Sequence, residues 1–137
     1  MSTLRTNALE GVDAKNSITI VAGAGNITTT NVQEGLNKAW CHWNQDGTQA
    51  IRDSLNIATI TDNGTGATTI TFTNSMANAN FAFVGFGSQH FGTAAGYNAY
   101  ETDAQTTSQS NKFQSITVAG SNFDAQSVHA TLNGDLA

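Results

Sequence analysis

Residues 37–86 hold Trp40, Trp43, an Asp-Asn-Gly-Thr-Gly turn at 62–66 and two runs of period-two alternation. That order of parts leaves no space for a helix of ordinary length. Asn63-Gly64 is expected to hold the positive φ values of a tight hairpin turn, with residues 56–61 and 67–73 as its arms. Ile70 and Phe72 alternate with Thr69, Thr71 and Thr73. This is the chemistry of a strand with one face in a core and one in water.

The same alternation extends outward. Ala39, Cys41 and Trp43 fall on one side of a strand, with Trp40 and His42 on the other. An aromatic on each face implies cover on both, by the core and by a neighbouring subunit. Gln45-Asp46-Gly47 reads as a turn, and Ile51, Leu55 and Ile57 lead into the next strand. Residues 80–87 read as a strand with Phe81 and Phe83 on one face and Ala82, Val84 and Phe86 on the other. Gly85 marks a bulge or a close approach there. Residues 101–112 read as a polar loop, and 113–119 and 126–132 as the last two strands, joined by a turn at 120–124. Strands recurring about every ten to fifteen residues predict an all-β, antiparallel sandwich or jelly-roll-like domain over residues 36–137. The chain has no proline with which to blunt sheet edges. Burial of edges against identical subunits would serve instead, and a homotrimer is expected.

Charge restricts the partners. Asp, Glu, Lys and Arg make up 11% of the chain, against about a quarter in ordinary domains. Thr, Asn, Ser, Gln and Gly carry the polarity, which favours strands and turns over exposed helices. The net charge is −5, and the five basic residues, Arg5, Lys15, Lys38, Arg52 and Lys112, are dispersed. A groove that tracks phosphates needs them clustered, so neither nucleic acid nor an acidic membrane surface is an expected partner. No run is apolar enough to span a bilayer, and the first fifteen residues hold no apolar signal region. Synthesis in a cytoplasm is expected.

Residues 1–35 form a distinct segment without a single aromatic side chain. Leu4, Leu9 and Val12 are isolated apolar points, and residues 17–21 read as one short strand with Ile18 and Ile20 on one face. A flexible break follows at residues 22–26, and residues 31–39 read as a brief helical turn capped by Asn31. The segment cannot build a core of its own. It reads as an attachment arm that becomes ordered on a partner or pairs between chains, with Leu4, Leu9, Val12, Ile18 and Ile20 as its anchors.

Chemistry-bearing residues are scattered. Cys41 is the only cysteine, lies in phase with Ala39 and Trp43, and reads as a buried small apolar side chain. His42, His90 and His129 lie on three separate segments with no ligand spacing, so no metal site is expected. In a symmetric trimer, however, a histidine near the axis would occur three times. Asp46, Asp53, Asp62 and Asp124 read as turn formers. No nucleophile elbow or phosphate loop is present, and no cofactor or enzymatic activity is expected. Phe91, Tyr97 and Tyr100 flank glycine-rich sequence and are the candidates for stacking on a sugar. The plainer reading puts these rings in a core or subunit interface.

Residues 35–44 (GLNKAWCHWN), 50–73 (AIRDSLNIATITDNGTGATTITFT), 75–86 (SMANANFAFVGF) and 127–135 (SVHATLNGD) resemble, in this order, the C-terminal β-domains of phage fibre proteins, especially those of marine phages. The resemblance covers roughly residues 35–137, and the opening STLRTNALEG is similar to the short starts of such proteins. Two departures stand out: Trp43 stands where the family usually has Phe, and Ala77 where it usually has Pro. The resemblance implies a homotrimeric virion protein displayed on the particle surface and carrying no enzyme motif, and contact of its β-domain with a host-surface glycan is the expected role. Whether such a subunit is a tail fibre or spike, or a capsid decoration or head-fibre protein, is not encoded in the matched segments.

Overall fold

The structure, a computed structural model, describes residues 19–22, 28–31, 36–88, 96–97, 105–117 and 119–137. The chain divides into two units, Met1–Leu36 and Asn37–Ala137. In the first, β1 (Thr19–Ala22) pairs antiparallel with β2 (Thr28–Asn31), Thr19 opposite Asn31 and Ala22 opposite Thr28. The strand expected at residues 17–21 is described from Thr19 onward and pairs with β2 of the same chain. Asn31, expected to cap a helical turn, is the last residue of β2 and pairs with Thr19. The interior of that expected turn, residues 32–35, lies outside the described residues, as do Leu4, Leu9, Val12 and Ile18. Ile20 lies in β1 opposite Thr30.

The described residues of the second unit are all-β, and every strand pair among them is antiparallel. A four-stranded sheet has the order β4 (Ala50–Leu55), β3 (Ala39–Asn44), β11 (Ser127–Asn133), β7 (Ala82–Ser88). A three-stranded sheet has the order β5 (Ile57–Asp62), β6 (Ala67–Phe72), β9 (Gln109–Gln114). A short ribbon pairs β8 (Gly96–Tyr97) with β10 (Ile116–Thr117). Ala39, Cys41 and Trp43 of β3 and Val128, Ala130 and Leu132 of β11 share one buried cluster with Ile70 and Phe72 of β6 and Phe113 of β9. Side chains of both larger sheets thus meet in one core, which is the sandwich arrangement expected.

The alternation along β3 is reproduced residue by residue, with Ala39, Cys41 and Trp43 buried and Trp40, His42 and Asn44 half-buried. The β5–β6 hairpin also stands as expected, Asp62 opposite Thr68 and Ile60 opposite Ile70. Its turn differs in detail. Positive φ falls on Gly64 (107°) and Gly66 (72°), while Asn63 stays at negative φ, because the connection is a wider loop closed by Asn63 N donating to Ala67 O at 3.0 Å. Gly66 has a second constraint: a Cβ there would meet the carbonyls of Phe123 and Ser115 at 2.7 Å.

Two further expectations give way. Residues 109–112, expected to belong to a polar loop, are the first four of β9 (Gln109–Gln114). Its backbone pairs with β6 and its one large apolar side chain, Phe113, is fully buried, so ladder bonds and a single anchor outweigh a polar composition. The strand expected across 113–119 is broken at Ser115, which turns into the core and separates β9 from β10. The edges are also not left plain. Register shifts interrupt β3–β4 between His42 and Trp43, β5–β6 between Ile57 and Thr59, and β6–β9 between Thr68 and Ile70. Irregular pairing of edge strands discourages open-ended strand addition without proline.

Gly85 and Gly87 of β7 lie tight against the core. A Cβ on Gly85 would sit 2.6 Å from the His129 carbonyl and 3.0 Å from the Phe113 ring. That close approach, anticipated for Gly85, is what lets Phe113 lie beneath β7.

Candidate functional site

The feature with binding potential is the outer face of the four-stranded sheet. Antiparallel register places Leu55 opposite Trp40, Trp40 opposite Thr131, and Thr131 opposite Val84. Four strands thus contribute one row across the sheet. Leu55 is 48% exposed and Val84 60%, with Trp40 half-buried between them. Large aliphatic side chains at such exposure, aligned with an indole, form a patch that water solvates poorly.

The next row is polar. Asp53 stands opposite His42, and His42 opposite His129. The two imidazoles are stacked, with ring centroids 4.1 Å apart and planes at 19°. Ser127 Oγ lies 3.1 Å from the Nε2 atoms of both rings. Arg52 Nη1 lies 3.3 Å from His42 Nε2. A guanidinium can only donate, so the His42 Nε2 it contacts is the unprotonated, accepting nitrogen. The environment agrees: desolvation, then His129 and Arg52, hold His42 below the ordinary imidazole value, against the opposing pull of Asp53.

Ser127, His42 and Asp53 are the residue types of a hydrolytic relay, but the geometry differs from one. The Asp53 carboxylate accepts from Ser54 N at 2.8 Å, and Arg52 occupies the nitrogen that a general base would use. Asp62, Asp124 and Asp46 tie down loops. Asp62 accepts from Gly64 N at 2.8 Å, Asp124 from Gly66 N at 2.6 Å, and Asp46 from Gln126 Nε2 at 3.2 Å. Asp53 differs from its expected place near a turn, since it lies within β4.

A second polar cluster is internal, built around Gln45, which the sequence marks only as part of a turn. Gln45 Oε1 accepts from Ser115 Oγ at 2.6 Å and Ala125 N at 3.2 Å, while Nε2 donates to Gly66 O at 2.7 Å and Thr68 Oγ1 at 3.1 Å. Thr68 Oγ1 also accepts from Trp43 Nε1 at 3.3 Å and donates to Gln49 Oε1 at 2.8 Å. Every polar atom of the Gln45 amide has a partner, as burial requires. The role is structural: it ties the β3–β4 loop to β6 and to the segments after β9.

The sugar-stacking candidates are not brought onto this face by anything described. Phe91 and Tyr100 lie outside the described residues, as does His90. Tyr97 is described in its backbone, which pairs with Ile116. Among the described residues no three side chains of the metal-ligating types converge. Among them, too, no helix is long and apolar enough to cross a membrane. The His42–His129 pair is invisible in the sequence, because only the β3–β11 register joins them. Comparison with protein-family models, curated proteins and solved structures finds no match.

Proposed function

We propose that the chain is a structural subunit of a phage particle, a homotrimeric tail fibre or spike protein whose β-domain faces outward and adheres to a host surface glycan. The observation that carries self-association is the row Leu55–Trp40–Thr131–Val84. It crosses the whole four-stranded sheet on the face away from the core. A second copy of the chain is its occupant: an uncharged apolar row suits a permanent symmetric contact, and the sparse, dispersed charge gives little with which to steer a transient partner. The virion assignment rests on the resemblance of residues 35–137 to phage fibre domains. Leu4, Leu9, Val12, Ile18 and Ile20 supply the attachment points of residues 1–35 to other virion proteins, and Phe91, Tyr97 and Tyr100 the stacking rings for sugar.

Light scattering on the full chain tests the assembly. The expected result is a trimer that falls to monomer on Leu55→Asp plus Val84→Asp, with the β-rich circular dichroism spectrum retained. A folded wild-type monomer at micromolar concentration would sink it. Immunogold labelling of particles tests the role: label at the tail supports the fibre reading, label over the capsid favours a decoration or head-fibre protein, and protein found only free in the host excludes both. Deletion of residues 1–30 is expected to abolish particle labelling while residues 37–137 remain folded.

A further inference from the structure

We propose that His42 and His129 form a surface site for a late first-row divalent cation, Cu²⁺ above the others, bound through the two Nε2 atoms. Three observations place it. The residues are direct cross-strand partners, so two backbones hold the rings in register. The rings are stacked at 4.1 Å, on the same side of the sheet. Both Nε2 atoms lie 3.1 Å from one oxygen, Ser127 Oγ, so turning the two rings out of their stack, whose near-parallel planes (19°) now aim the lone pairs side by side, brings both nitrogens to one cation.

The donor set selects the cation. Two imidazole nitrogens with a hydroxyl and solvent around them suit Cu²⁺, Ni²⁺ or Zn²⁺ and offer little to Ca²⁺ or Mg²⁺. Among divalent first-row ions, affinity at a nitrogen site rises to Cu²⁺. Metal–nitrogen bonds of about 2.1 Å would bring the cation closer to both rings than the hydroxyl is, with water completing its shell. The lone pair on His42 Nε2, which now accepts from Arg52, is the electron pair the metal would take. Arg52 is thus the built-in competitor, since it must leave that nitrogen and keep its charge away from the cation. Asp53, opposite His42 in β4, supplies partly compensating negative charge. A bound ion would clamp β3 to β11 and, by binding only the folded chain, raise its melting temperature. The inference stands apart from the particle reading and from self-association, because binding is counted per chain.

The test is titration of untagged full-length protein with Cu²⁺ at pH 7.5, followed by calorimetry and electron paramagnetic resonance. One Cu²⁺ per chain is expected, with hyperfine structure from two nitrogens. His42→Gln and His129→Gln should each weaken binding at least tenfold. His90→Gln should leave it unchanged, and Arg52→Met should tighten it several-fold. Both histidines of the pair are at the surface, so circular dichroism is expected to report native variants. If a variant fails to fold, the nitrogen count on the wild-type protein decides. Binding that survives both His42→Gln and His129→Gln, that is lost in His90→Gln, or that weakens in Arg52→Met would overturn the assignment.

Discussion

Trp43 of β3 meets Phe113 of β9 edge to face, with ring centroids 4.9 Å apart and planes at 76°. Both side chains are fully buried and belong to different sheets, so this pair is the central bond of the sandwich. Phe83 adds a third ring, 5.6 Å from Phe113. Phe113→Ala would leave a cavity on the Trp43 edge and is expected to cost about 3–5 kcal/mol. Urea denaturation of the isolated chain measures it, and a loss below about 1 kcal/mol would show that the sheets are joined elsewhere.

Gln45 is the polar counterpart of that contact. Gln45→Leu keeps approximate volume but leaves Ser115 Oγ and Ala125 N without their partner, and Gly66 O with the Ser115 N–H alone. Each orphaned buried group costs about 1–3 kcal/mol, so the variant is expected to lose more stability than Cys41→Ala. Comparison of denaturation midpoints decides the order.

Two glycines of one turn should behave differently. Gly64 has φ 107° and open space around its Cα, so Gly64→Ala meets backbone strain alone, about 1 kcal/mol. Gly66 combines φ 72° with two backbone carbonyls that would lie 2.7 Å from an added methyl group, and neither can rotate away. Gly66→Ala is expected to be the more damaging by melting temperature, and equal shifts would contradict the packing described.

Cys41 is 1% exposed, and burial pushes its thiol up to about 12, from an ordinary value of 9.0. The unfolded chain loses this proton first. The neutral thiol therefore contributes stability that is fully present below about pH 9 and is lost as pH rises towards 12. Wild-type protein is expected to lose melting temperature across that window faster than Cys41→Ala. At pH 8, a disulfide reagent should label the folded chain only as fast as it unfolds. Rapid labelling of native protein would place the thiol at the surface.

Much of the sandwich is legible in the sequence because strand alternation is local. The inward set Ala39, Cys41 and Trp43, the Thr-rich alternation around Ile70 and Phe72, and the glycine turn at 64–66 are each written within a few residues. The first four residues of β9 are not legible: Gln, Ser, Asn and Lys have weak strand preference, and their pairing with β6 comes from backbone bonds that side chains do not advertise. Val84 and Leu55 each fall in or near an expected strand, but their alignment with Trp40 requires the order β4-β3-β11-β7.

The sequence alone determined an all-β chain, a buried face for β3, a hairpin closed by glycine and a distinct first segment. Those properties depend on φ preference and on which neighbours in the chain are apolar. Tertiary structure decided the rest, namely which distant residues become neighbours. His42 reaches Ser127 across 85 residues of chain, and Gln45 reaches Ser115 across 70. Such meetings follow from sheet order and register, which are chosen by the packing of the whole core around Trp43 and Phe113 and not by any short stretch of sequence.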